Sequence, residues 1–470
     1  MGRPPWASTL FTVAALLVTV EARAQTAVEW DISGNATFGF TDNANGAPIP
    51  EDDAPEGTGP EPDGFFTITP AFRLQMERAD STHTLTYGVG YTLYFLHPEL
   101  GAFSQALSYG MRAPVQEGVD LTFAVTGSQS TTSLLSLTGG AAGGQVQATT
   151  GGNDMIITAG VGQGITAEVG PTWTFFQAFA GAHAHSITED NEDGYTQTAS
   201  LTLGANKEYK RELFGITQSN DVQWSPFQEG VRPDDSLQLV HRIVGDWTHQ
   251  FSLDWATQLH VGGLYAYDVV ALQAGDPLPY PDPIGGANVR WTPVGGNMSL
   301  SYARDATPNL ILRQVTLNDT GTLTGSVELP KGLDFGGSAA VQVTRAFSDG
   351  EDEVSPGLSV LLDAALGYVP RAVFMRIEGR YQYNRQFALG DVAVIPELQR
   401  HTVMLTTAFA YPRPPEPGGV GRGVALPSPT ANVDIVSRQA PQSARAREEE
   451  RLESKDPQER REQELPPERD

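Results

Sequence analysis

The chain has 470 residues, with 30 Lys and Arg against 56 Asp and Glu and a formal net charge of −26, which excludes a nucleic-acid binder because phosphate recognition needs a basic footprint. It contains no cysteine, so disulfide scaffolds, thiolate metal sites, cysteine nucleophiles and a lipidated N-terminal cysteine are removed together. At 40% hydrophobic and 18% charged residues it is too apolar for global disorder.

From the N-terminus, Arg3 supplies a positive start, Ala7 to Val20 an apolar stretch of signal length, and Ala22-Arg23-Ala24 a small-residue cleavage pattern. Residues 1–24 therefore read as a secretory signal peptide, removed before Gln25. After Gln25 no apolar run reaches the length of a spanning helix. An exported chain of this kind enters a membrane only as a closed β-barrel.

The next segment alternates strictly: Val28, Trp30, Ile32, Gly34, Ala36, Phe38 and Phe40 interleave with Glu29, Asp31, Ser33, Asn35, Thr37, Gly39 and Thr41. A period of two is the mark of a strand with unlike faces. Repeated along the chain, the pattern predicts strands near 26–41, 64–78, 82–96, 102–113, 118–128, 153–163, 171–187, 195–206 and 210–218. A second set is expected near 236–248, 253–267, 285–292, 296–305, 319–329, 333–346, 357–369, 371–384 and 398–411. The connections alternate in length: long at 42–63, 128–152, 219–235, 268–284, 305–318 and 385–397, short at 79–81, 113–116, 248–252, 292–295, 330–332 and Pro370. Sorting of loops by parity, with tight turns in the periplasm and long loops outside, belongs to outer-membrane barrels. The fold class expected is all-β, a transmembrane outer-membrane antiparallel β-barrel of about 18 strands over residues 25–411. Aromatic girdles are expected at Phe38, Phe40, Trp173, Trp247, Tyr265, Tyr267, Tyr381, Tyr383 and Tyr411, and lipid contact at Val28, Trp30, Tyr87, Tyr91, Val403 and Leu405.

Beyond Tyr411, residues 412–437 form a Pro/Gly-rich linker, and residues 438–470 carry 8 basic and 10 acidic residues in 33. Such a tail cannot bury a core and is expected to be disordered in the periplasm.

The opposite strand faces carry the charge. Glu29, Asp31, Arg73, Glu77, Asp120, Arg242, Arg290, Asp363, Arg376, Glu378 and Arg380 share the parity that faces the lumen, where charge is tolerated in water and would be costly in a dry core. The same parity places Arg376 and Arg380 to hydrogen-bond a hydroxyl-rich or acidic chain. His183-Ala184-His185 is a weak metal signal, read as a strand-end pair at the membrane interface. The acidic runs Glu51-Asp52-Asp53, Glu189-Asp190 with Glu192-Asp193, and Glu351-Asp352-Glu353 read as solvated loops. No catalytic, metal or cofactor motif is present, and no enzyme activity is expected.

Four pieces of the sequence bear on a family. Gly34 to Asn43, the turn Trp247 to Ser252, Asn288 to Pro293 leading into Met298 to Tyr302, and the ending His401 to Tyr411 resemble outer-membrane β-barrels associated with bacterial exopolysaccharide export and PEP-CTERM-type systems. The resemblance implies an exit pore for a secreted polysaccharide, working with a periplasmic polysaccharide export protein and seated in outer-membrane lipid. The chain departs from the pattern by carrying 59 residues after the aromatic-ended last strand. A general or substrate-specific diffusion porin passing a small solute is the alternative, and a non-channel structural barrel the second alternative.

Overall fold

In the computed structural model the described residues are 27–47, 59–131, 155–187, 194–225, 236–269, 281–309, 314–346, 356–370, 375–389 and 397–411. The signal segment, the linker, the charged tail and the three acidic runs lie outside them.

Eighteen strands are formed, and single 3-10 turns at Pro98–Leu100 and Pro330–Gly332 are the short helical pieces between them. The first nine are β1 (Ala27–Thr41), β2 (Asp63–Arg78), β3 (Ser81–Tyr94), β4 (Ala102–Gln116), β5 (Val119–Thr131), β6 (Met155–Val169), β7 (Trp173–Ile187), β8 (Gly194–Tyr209) and β9 (Glu212–Ser225). The others are β10 (Ser236–Gln250), β11 (Trp255–Asp268), β12 (Asp282–Trp291), β13 (Gly296–Asn309), β14 (Gln314–Leu329), β15 (Leu333–Ala346), β16 (Gly357–Tyr368), β17 (Met375–Ala388) and β18 (Leu398–Tyr411). Each pairs antiparallel with its sequence neighbours, and β1 pairs with β18 from Ile32↔Tyr411 to Thr41↔Thr402. The sheet is thereby closed into a barrel, in which neighbouring strands meet one another's backbone groups along the paired stretches.

Each expected strand is present, and the differences fall mainly at the strand ends that meet the long loops. Strand β9 runs on to Ser225, and β13 and β14 reach Asn309 and Gln314, where a long loop over 305–318 was expected. The reason is physical. Apolar alternation is demanded only where one face meets hydrocarbon, whereas the hydrogen-bonded ladder continues above it with polar residues on both faces.

The turns between β4 and β5, β6 and β7, and β12 and β13 use Gly118, Gly170 and Gly295 at φ +75°, +67° and +77°. Lys210 and Lys331 take the same left-handed region in the β8–β9 and β14–β15 turns, at a steric cost glycine avoids. These tight connections all lie at one end of the barrel, and the long loops at the other.

The two faces differ sharply. Outward positions are large and apolar, including Val28, Trp30, Tyr87, Tyr91, Val403 and Leu405, all of which are exposed as expected. Outward charged side chains sit only near the rims among the described residues. Arg78, Lys207 and Glu212 are at the turn end, while Arg304, Asp319, Arg345 and Arg385 are toward the loop end. Between them runs an uncharged band ringed by aromatics, Trp255 against Trp291 at 5.7 Å and Trp173 against Phe175 at 5.9 Å among them.

Candidate functional site: the inner wall and a hairpin turned into the lumen

The inner face holds three polar groupings and one displaced element. The displaced element is the loop-side end of the β13–β14 hairpin. Along the lower part of β13, Met298, Leu300 and Tyr302 point outward and are exposed, and on β14 so do Leu323 and Val327. The pairing of β12 with β13 stops at Gly285↔Arg304, while β13 and β14 stay paired up to Asn309↔Gln314. Beyond Arg304 the outward parity passes to Ala306 and Leu317, yet Ala306 is 0% exposed. Both residues pack in one cluster with Val240, Leu264, Ala266 and Ile284, which are inner-face residues of β10–β12. The loop-side part of the hairpin has therefore parted from β12 and leans inward over the inner faces of β10–β12, while β14 remains paired with β15 up to Thr316↔Ala346. Apolar contact supplies the driving force for holding it there.

Ionic contacts fix its position. Arg242, on the inner face of β10, bonds Asp221 on the adjoining strand β9 through Nη2 and reaches Asp305 of the hairpin through Nη1 at 3.3 Å. Where the hairpin leaves the wall, Arg304 lies between Asp282 at 3.8 Å and Asp319 at 3.7 Å. On the neighbouring strands Asn318 accepts from Gln342 Nε2 at 3.0 Å and from Thr344 Oγ1 at 2.9 Å. This buried network braces the base of the hairpin against β15.

Half a turn around the barrel, the base of the first long loop also leans inward. Ala44 is buried against Phe65 and Tyr94, with Leu100 and Met404 packed beside them. Asn43 Nδ2 donates to the carbonyls of Ala47 at 2.9 Å and Gln399 at 3.2 Å. Asp63 accepts from the backbone N–H groups of Phe95, Leu96 and His97, which pins the 3-10 turn beneath the loop. The loop-side mouth is narrowed from two opposite sides.

The second grouping is a ladder on β15–β17. Arg376 is 1% exposed, donating through both terminal nitrogens to Asp334 at 2.6 and 2.5 Å and to Glu378 at 3.0 Å. Arg380 continues it to Glu378 at 3.1 Å and Asp363 at 3.6 Å, and Gln382 Nε2 donates to Asp363 at 2.9 Å. The guanidinium of Arg376 lies over Gly367, where a Cβ would come within 2.2 Å of it. Any side chain there would displace the arginine.

The third lies on β1–β2. Asp31 faces Arg73 in register, Arg73 donates to Gln75 at 2.7 Å and Gln75 to Glu77 at 2.6 Å, with Glu29 on the same face. Asp120 pairs with Arg112 at 2.5 Å. Arg290, one residue from the turn end of β12, is exposed and makes no ion pair among the described residues.

All eleven residues singled out from the sequence occupy the inner face, and the structure brings six of them into two groups, Arg376, Glu378, Arg380 and Asp363 in the ladder and Asp31 with Arg73 on β1–β2. Sequence reasoning missed Asp221, Asp305, Arg304, Asp334 and Arg112. Asp334 was recoverable, since it alternates with Leu333 and Phe335. Asp221 and Asp305 were hidden in stretches that read as loops. His183 and His185 point outward from the loop end of β7 with rings 6.4 Å apart, and the described residues hold no group of three or more potential metal ligands.

No family model matches the chain, and no curated protein is similar to it. The exopolysaccharide-export resemblance therefore finds no support beyond the sequence pieces that suggested it. Among solved structures, the chain is similar to Pseudomonas aeruginosa OccK2 (OpdF) in complex with glucuronate, at 11% identity, covering 82% of this chain and 98% of that one with a TM-score of 0.45. It is similar to the outer membrane protein OpdK of Pseudomonas aeruginosa at 9% identity, 82% and 99% coverage and TM-score 0.43. A mutant form of the ferric enterobactin receptor PfeA of the same organism follows at 8% identity, 84% and 81% coverage and TM-score 0.44.

Proposed function

We propose that the chain is an outer-membrane channel for small polar solutes, a diffusion porin. An uncharged outward band closed by aromatic rims suits a bilayer, and a barrel of 18 strands is of the size that leaves an aqueous lumen. The inner-face charges, Glu29, Asp31, Arg73, Glu77, Asp120, Arg242, Arg290, Asp363, Arg376, Glu378 and Arg380, then belong to the wall of that lumen, with Arg376 and Glu378 buried against their ion-pair partners and the others more open to it.

The observation that carries the choice of small solutes is the inward hairpin, held by Arg242 to Asp305 and by Ala306 and Leu317 in the inner cluster. A polymer exit pore needs an unobstructed bore, whereas a selective solute channel needs a waist. Both arginines first considered as guides for a polymer have their guanidinium groups engaged by wall carboxylates. The export partner implied by the resemblance has no counterpart in this reading.

Liposome swelling with uncharged sugars of increasing size tests it. Purified full-length chain should admit monosaccharides and exclude long oligosaccharides, and replacing residues 306–317 by a short turn should raise the cutoff. Passage of long polymer chains through the unaltered protein would restore the exit-pore reading. Absence of any permeability would favour a structural barrel.

A further inference from the structure

The outward face is not uniform around the barrel. Among the residues whose side chains are described, every outward Gln or Asn lies on β4–β10, apart from Gln399 toward the loop end of β18. Several of these lie deep in the band. Gln177 is four residues above Trp173 and Gln218 six above Glu212, about 10–15 Å from the turn-end girdle for tilted strands. Gln163 Nε2 donates to Gln177 Oε1 at 3.4 Å, and His241 Nδ1 lies 2.8 Å from Asn220 Oδ1. These contacts use only part of each group's capacity. Gln218 has no hydrogen-bond partner among the described residues, and its paired neighbours Leu203 and Ile243 are 43% and 58% exposed. The opposite wall at the same depth presents Leu300, Leu323, Leu362 and Leu405.

An amide facing hydrocarbon forfeits its hydrogen bonds. A wall that places the amides of Gln163, Gln177 and Gln218 there, while the other wall places no amide at that depth among the described residues, is not built against lipid alone. We propose that β6–β10 is the surface on which a second copy of this chain docks in the membrane.

The occupant follows from the chemistry of the patch. It is uncharged at this depth, so no oppositely charged partner is called for. Amides both donate and accept, so the patch complements itself. Its arrangement also suits a two-fold axis along the membrane normal. Gln177 on β7 and Gln218 on β9 flank Leu203 of β8 in one lateral row, paired Gln177↔Leu203↔Gln218. Rotation about an axis facing β8 sets the β7 side of one copy toward the β9 side of the other, amide toward amide, with the leucines of β8 meeting at the centre.

This inference rests on the membrane reading of the outward band, and the test separates the two. Because the chain lacks cysteine, Leu203→Cys and, as a control at the same depth on the opposite wall, Leu362→Cys each give a single thiol. Both variants are oxidised in native membranes and followed on non-reducing gels, with membrane fractionation alongside. The proposal expects a homodimer band for Leu203→Cys in at least tenfold excess over Leu362→Cys, falling several-fold when Gln177→Leu and Gln218→Leu are added. That triple variant should keep the heat-dependent gel mobility of a folded barrel. A chain in the outer-membrane fraction that cross-links equally weakly at both sites, or only to a protein of different mass, overturns the docking proposal alone. A chain recovered in the soluble fraction overturns the membrane reading and this proposal together.

Discussion

Arg242 and Arg376 are both inner-wall arginines held by two carboxylates, and they do opposite things. Arg376 joins Asp334 on β15 to Glu378 on its own strand, so each of its partners belongs to the same stretch of wall. Arg242 joins Asp221 on the adjoining strand to Asp305 on a hairpin three strands away. The first contact braces the cylinder, and the second fixes what projects into it. The comparison teaches that an ion pair's role in a barrel is set by whether its partners are neighbours in the sheet, more than by its burial or length.

The sharpest way to break the comparison is Arg376→Ala. It leaves Asp334 without its cation and Glu378 with Arg380 alone, and a buried pair broken this way costs about 3–5 kcal/mol. Urea unfolding in detergent should show that loss, while single-channel conductance of the protein that folds stays near the parent value. Next is Gly367→Ala, which drives a Cβ into the pinned guanidinium. Overpacking of this kind costs about 1–3 kcal/mol, and the same unfolding assay should place this variant between the parent and Arg376→Ala. If it matches the parent, the guanidinium is not confined by Gly367.

Arg242→Ala sharpens the contrast from the other side. The barrel should lose stability here too, because Asp221 is left buried without its cation, but unlike Arg376→Ala the channel should also conduct more and fluctuate more as the hairpin loosens. The smallest effect expected is on ion selectivity. Around the hairpin Asp221, Asp282, Asp305 and Asp319 outnumber Arg242 and Arg304, so the pore should prefer cations at low salt, and the preference should fade as salt screens it. Reversal-potential measurements across a salt gradient would show this, and a strong anion preference would mean that the waist lies elsewhere.

Much of the fold was legible because hydrocarbon imposes a strict rule. Every residue from Val28 to Phe40 on one parity is apolar or small, and each similar run yielded a strand. The rule fails outside the bilayer. Ser219 to Ser225 and Asp305 to Asn309 continue the ladder with only short apolar alternation, Val222 with Trp224 and Ala306, so they read as loops although they are strands. Lumen-facing charge was legible by parity for Arg242 and Arg376. That Asp305 would close on Arg242 was not, because no periodicity records a hairpin bending out of its own wall. The outward amides at Gln177 and Gln218 interrupt the apolar parity in the sequence itself. Only the closed barrel shows that they fall on one side.

The central claim is that the hairpin lies inside the barrel and sets its waist through the pair of Arg242 and Asp305. A charge-reversal cycle read by single-channel conductance tests it most directly. Arg242→Asp and Asp305→Arg alone should each raise the open-channel current, and the two together should return it toward the parent value. Equal currents in all four proteins would show that the hairpin does not limit the pore.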